Sequence, residues 1–82
     1  MDPRRLKAFL VLAEEKSFHK AAERLYLSQP ALTQRIQALE RELGVRLLER
    51  RPFRLTPAGD LLRREGARLL KELEALKEAV RR

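Results

Sequence analysis

The residues best suited to chemistry lie in one short run, Ser28-Gln29-Pro30-Ala31-Leu32-Thr33-Gln34-Arg35-Ile36-Gln37. A helix through it, at about 100° per residue, gathers Leu32, Ile36, Leu39 and Leu43 on one face. The opposite face then carries Pro30, Gln34, Gln37 and Arg41, with Gln29 and Thr33 beside it near the helix start. This set offers amides, a hydroxyl and a small apolar ring, with no acid before Glu40. Such groups read base edges: glutamine pairs with adenine, threonine offers hydroxyl or methyl, and proline can touch a thymine methyl. Gln29, Pro30, Thr33, Gln34 and Gln37 are therefore the candidate base contacts. An ordinary solvated face could have the same composition, and the surrounding turn and charge favour base contact.

A second cluster, Arg50, Arg51 and Arg54 around Pro52, suits a DNA backbone or a narrow minor groove. The competing readings are a solvated charge run, or pairing of Arg50 with Glu49 or Glu42. His19 is expected in solvent, within reach of a phosphate, with no nucleophile or carboxylate constellation to make it catalytic. Ser17, Ser28 and Thr56 read first as helix caps. No cysteine is present and only one histidine, which excludes disulfides and a zinc site. No cofactor and no metal is expected.

Nineteen Lys+Arg against 12 Asp+Glu give 82 residues a net charge of +7. At 44% apolar content the chain is globular, so its charge points to a polyanionic partner rather than to disorder. An anionic bilayer would satisfy the same charge. No apolar run approaches the ~20 residues of a transmembrane helix. The polar start carries no secretory signal, so a cytoplasmic location is expected.

The elements that must position these residues are helical. Asp2-Pro3 starts a first helix, with Leu6, Phe9, Leu10 and Ala13 as its apolar stripe. Ser17 caps a second, carrying Phe18, Ala21, Ala22 and Leu25, and the alanine pair admits a close neighbour. Tyr26-Leu27 breaks the pattern, and Ser28 starts the third helix, which stops at Gly44. Helices over 17–25 and 28–43 joined by so short a turn have helix-turn-helix spacing. Leu47-Leu48 and Phe53-Arg54-Leu55 flank Arg51-Pro52 as a small hairpin. Thr56-Pro57 then opens a helix that runs to the chain end. Leu62, Leu69 and Leu76 recur every seven residues, with Leu73 and Val80 at the alternate seam position and Gly66 where a further seam residue belongs. Asp60/Arg64 and Glu78/Arg82 are expected to pair across its outer face. The small domain cannot cover this seam along its length, so Leu62, Leu69, Leu73, Leu76 and Val80 are the candidate dimerisation residues.

The ordered run Phe18…Ala21-Ala22…Leu25…Ser28-Gln29-Pro30-Ala31-Leu32-Thr33…Ile36…Leu39-Glu40…Leu43-Gly44, then Leu47-Leu48-Glu49-Arg50 and Leu55-Thr56-Pro57-Ala58-Gly59, closely resembles the LysR-type transcriptional regulators of bacteria. The resemblance spans essentially the whole chain. It implies a winged helix-turn-helix and a linker helix that packs antiparallel against its copy in a dimer. It also implies a larger C-terminal effector-binding domain, so the chain reads as an N-terminal fragment. By position, Gln29, Pro30, Thr33 and Gln34 match the family's major-groove readers, and Arg51–Arg54 its wing. Arginine then glutamine is usual where this chain has Gln34-Arg35, which turns Arg35 toward a phosphate. The wing is about two residues shorter than usual, leaving Arg51 or Arg54 as the minor-groove residue.

The expectation is a mainly α fold, with a winged helix-turn-helix over 1–56 and a linker and dimerisation helix over 57–82. It is not an enzyme. It binds double-stranded DNA at a pseudo-palindromic operator as a homodimer, through the base contacts above and through Ser28, Arg35, Arg50, Arg51 and Arg54 on phosphates or in the wing. A small-molecule effector acts only on a full-length protein. Two readings compete: a pure dimerisation module with incidental basic surface, and a membrane-surface amphipathic protein. The second is disfavoured by a narrow seam flanked by acids.

Overall fold

Each helix start in the computed structural model, which describes all residues from Met1 to Arg82, is a side-chain cap followed by a helical first turn. Asp2 accepts from Arg4 N and precedes α1 (Pro3–Glu15), and Ser17 accepts from Lys20 N ahead of α2 (Phe18–Leu25). Ser28 accepts from Ala31 N ahead of α3 (Gln29–Leu43), and Thr56 accepts from Gly59 N ahead of α4 (Pro57–Arg81). These caps satisfy backbone donors that no helical carbonyl can reach. α1, α2 and α3 end on left-handed residues, Lys16, Tyr26 and Gly44, only the last of which escapes the Cβ cost of that conformation.

Between α3 and α4 runs an antiparallel hairpin of β1 (Leu48–Arg50) and β2 (Phe53–Leu55). Its register pairs Leu48 with Leu55, Glu49 with Arg54 and Arg50 with Phe53, so Arg51-Pro52, joined by a cis peptide, forms the turn. The Glu40 carboxylate accepts from Leu47 N at 2.7 Å, and Thr56 N donates to Leu47 O at 3.0 Å. The wing is thereby tied at its base to both α3 and α4.

The core is centred on Phe9, Leu12, Leu32, Leu39 and Leu47, all fully buried. α1 is its hub, packing against α2, α3 and α4. For that reason Ala8, Val11 and Leu12 are buried along with the expected stripe of Leu6, Phe9, Leu10 and Ala13. One stripe understates a helix with neighbours on several sides. Ala21 and Ala22 are buried where α2 lies close to α1 and α3.

Several expectations are corrected. Leu43 is exposed rather than part of the buried face. Gly66 is not a seam residue: it lies under α1, and a Cβ there would meet Leu6 Cδ1 at 2.8 Å. Leu62 belongs with it, half-buried against the core cluster alongside Leu70 and Ala58. The first half of α4 therefore roofs α1, which displaces the candidate seam onto Leu69, Leu73, Leu76 and Val80. Of these, Leu73 is half-buried, while Leu69, Leu76 and Val80 stay exposed. The Asp60–Arg64 pair forms at 3.1 Å, but Glu78 pairs with Arg81 at 3.9 Å instead of with Arg82, which lies past the helix end.

Candidate nucleic-acid interface

The sharp turn at Tyr26, Leu27 and Ser28 sets α3 beside α2 with its N-terminal turns outward. Pro30, Gln34 and Gln37 are exposed on one surface, with Thr33 half-buried at its edge and Arg41 continuing it. The Gln29 amide is also exposed but has a partner within the protein: its Nε2 donates to His19 Nδ1 at 3.4 Å. His19 Nε2 in turn lies 3.4 Å from Glu23, so the histidine braces Gln29 from α2. Ser28 is occupied by its cap bond, and its exposed hydroxyl keeps further lone-pair capacity.

Arg35 is half-buried and, with Gln34, lines a cleft of about 350 Å³ shared with Arg4 and Arg5 at the start of α1. Arg4 is held there by Asp2, whose carboxyl is drawn below its usual 3.8 mainly by the hydrogen bond from the Arg4 side chain. On the other flank, Thr33 and Gln37 share a cleft of about 320 Å³ with Phe18, Arg46 and Arg50. Reading face and wing are thus two sides of one slot. Arg51 stands exposed at the hairpin tip, while Arg54 turns into a groove shared with α1 and α4.

Arg50 pairs with neither Glu49 nor Glu42, correcting both alternatives. Glu42 instead takes the N-terminal ammonium and Arg5, and the Arg50 guanidinium lies 3.8 Å over the Phe18 ring. Arg46 and Phe18 are contributors to this slot that were not singled out as site residues. Arg46 donates to Leu48 O at 3.3 Å and sits 3.7 Å from Glu40, and only the fold brings these together.

Charge is distributed unevenly over the surface. On α4 most cations sit in ion pairs, Arg63 and Arg64 sharing the single Asp60 carboxylate, Arg68 with Glu72, and Lys77 with Glu74, while Lys71 has none. Arg24, likewise, is shared by Glu14 and Glu15 at the back of α2. Arg35, Arg41, Arg51 and Arg54, on α3 and the wing, take part in none of the ion pairs the protein forms. Arg35 and Arg41 border the amide face, Arg51 stands at the wing tip, and Arg54 lies in the groove against α1 and α4.

This arrangement matches the family model described as a bacterial regulatory helix-turn-helix protein, lysR family, over residues 3–60. The chain belongs to the lysR family. Among curated lysR relatives, the transcriptional regulator BenM of Acinetobacter baylyi is 40% identical over 84 residues, covering 100% of this chain. An SDS degradation transcriptional activation protein of a Pseudomonas species is 49% identical over 81 residues, or 96% of the chain. The chain spans only 28% and 26% of the lengths of these two regulators. In structure it is similar to the BenM DNA-binding domain crystallised with benA site 1 DNA, at a TM-score of 0.92 and 40% identity, covering 99% of this chain and 96% of that one. CbnR, a LysR family transcriptional regulator, superposes with a TM-score of 0.93 at 41% identity, over 99% of this chain and 29% of that one. These relatives are regulators of transcription and not enzymes, and the shared fold is the winged helix-turn-helix.

Proposed function

We propose that this chain binds double-stranded DNA sequence-specifically, as a homodimer on a pseudo-palindromic operator. α3 lies in the major groove, with Gln34 and Gln37 the principal readers, Pro30 and Thr33 at their side, and Gln29 oriented by His19. Ser28 and Arg35 contact phosphates. The wing follows the backbone, and Arg51 rather than Arg54 enters the minor groove, because Arg51 occupies the tip. Residues 1–56 do the reading, and 57–82 carry the linker helix that joins two protomers through Leu69, Leu73, Leu76 and Val80.

The single observation that carries this reading is the placement of arginines free of ion pairs on both sides of an exposed amide face, Arg35 beside Gln34 and Arg50 beside Gln37, with Arg51 at the wing tip. Counterion release at such a surface makes binding fall with salt, with a log–log slope of about −0.9 per phosphate contacted. The experiment is a fluorescence-anisotropy titration against a selected duplex at increasing salt, with anionic vesicles as competitor. A dissociation constant flat in salt, or duplex displaced by vesicles, overturns the proposal. No helix is long and apolar enough to cross a membrane. For the whole protein, of which this chain matches the N-terminal part of relatives, the reading extends to a cytoplasmic regulator answering a small-molecule effector bound outside these residues.

A further inference from the structure

Phe18 opens α2 directly after the Ser17 cap, and its half-buried ring touches the wing twice. The Arg50 guanidinium lies 3.8 Å over its face, and Phe53 meets it edge to face at 6.5 Å and 68°. Arg50 and Phe53 are register partners, the last pair before the Arg51-Pro52 turn. The two residues that close the turn are therefore the two that grip α2. A two-stranded hairpin is marginally stable alone, so its angle is set by whatever it docks against. Near its base the wing is held by the bonds at Leu47; near its tip it is held by this stack. An arginine seated over a ring face would lose that contact if it swung out to a phosphate.

We propose that the Arg50–Phe18–Phe53 stack is a positioning device that aims Arg51 at DNA, with Arg50 acting through Phe18 rather than as a phosphate contact itself. The inference rests on the reading that the wing tip meets DNA. It adds that the aim of the tip is set from the start of α2, which also carries the His19 brace on Gln29. Wing and reading helix are thereby referenced to one short element.

The test is a double-mutant cycle on operator binding by anisotropy, with thermal unfolding as the check on folding. Phe18→Leu is expected to weaken binding about three- to tenfold in the otherwise native chain, and Phe18→Tyr, which keeps the ring, to bind as the native chain does. In an Arg51→Ala background Phe18→Leu costs nothing further, because no tip arginine remains to be aimed. Arg50→Gln, on an exposed strand position, repeats the comparison without touching the core. In the Arg51→Ala background it leaves the salt slope unchanged, whereas a direct phosphate contact would flatten it by about 0.9. Equal losses in both backgrounds, no loss at all, or a flattened slope overturn the positioning role. An Arg51→Ala protein that binds like the native chain removes the wing-tip reading itself, and the proposal with it.

Discussion

Leu76 is 60% exposed, Leu69 49% and Val80 75%, along a part of α4 that nothing in the protomer covers. Full burial of such a side chain is worth about 1.5–3 kcal/mol, so covering what Leu76 leaves in water recovers roughly 1–2 kcal/mol. In a two-fold dimer the position occurs twice, so Leu76→Glu removes about 2–4 kcal/mol of association energy before any repulsion between the new carboxylates. That raises the dimer dissociation constant about 30- to 1,000-fold. Leu76 is a cleaner target than Leu73, whose side chain is already half-buried in the protomer. Sedimentation equilibrium at tens of micromolar is the assay, with circular dichroism to show that the protomer's helicity is retained. The expected result is a native dimer and a Leu76→Glu monomer. The variant should bind a full operator far more weakly and a single half-site almost as before. A native chain that is monomeric, or a Leu76→Glu chain that stays dimeric, refutes the assignment of this face.

Two glycines of α4 should separate cleanly in thermal unfolding. A Cβ at Gly59 would collide with the Leu47 backbone carbonyl, whereas at Gly66 it meets only the flexible end of Leu6. Gly59→Ala is expected to cost about 1–3 kcal/mol, lowering the midpoint by roughly 4–8 °C for each of them, while Gly66→Ala stays near neutral as helix propensity offsets the crowding. Selection from a random duplex pool should show that Gln34→Ala relaxes one position of the preferred site at a cost of about 1–3 kcal/mol, and an unchanged sequence preference would remove α3 from the groove. The Asp60 carboxyl is held below 3.8, first by the Arg63 hydrogen bond and then by that of Arg64, and Asp2 is held down by Arg4. A carboxyl depressed in the folded state stabilises above its unfolded value and loses that contribution as pH falls through the folded one. The unfolding midpoint should therefore drop only below about pH 4 on their account, and less steeply in Asp60→Asn.

Local rules carried much of this molecule. Asp2-Pro3, Ser17, Ser28 and Thr56-Pro57 announce every helix start because a cap is a bond between neighbours in sequence. The amide face of α3 was legible for a related reason: helical periodicity alone decides which side Gln34 and Gln37 share once Leu32, Ile36 and Leu39 are buried. The basic wing around Pro52 was equally plain. What the sequence left open depends on where one element lies against another. α1 is buried on several sides because three helices surround it, a fact no single stripe reveals. Leu62 and Gly66 fit a heptad seam in sequence, yet Leu62 packs on the core and Gly66 faces α1, because a helix can spend one part of a stripe on its own domain and the rest on a partner. Gln29 braced by His19, and Arg50 lying on Phe18 instead of pairing with a carboxylate, join residues ten or more apart in the chain. The ion-pair inventory shows the same divide. Pairs within a helix turn follow from spacing, but Arg24 reaches Glu14 and Glu15 only because α2 folds back on α1. Short-range geometry is set by chain connectivity, whereas these contacts are set by packing, and only the folded molecule could reveal them.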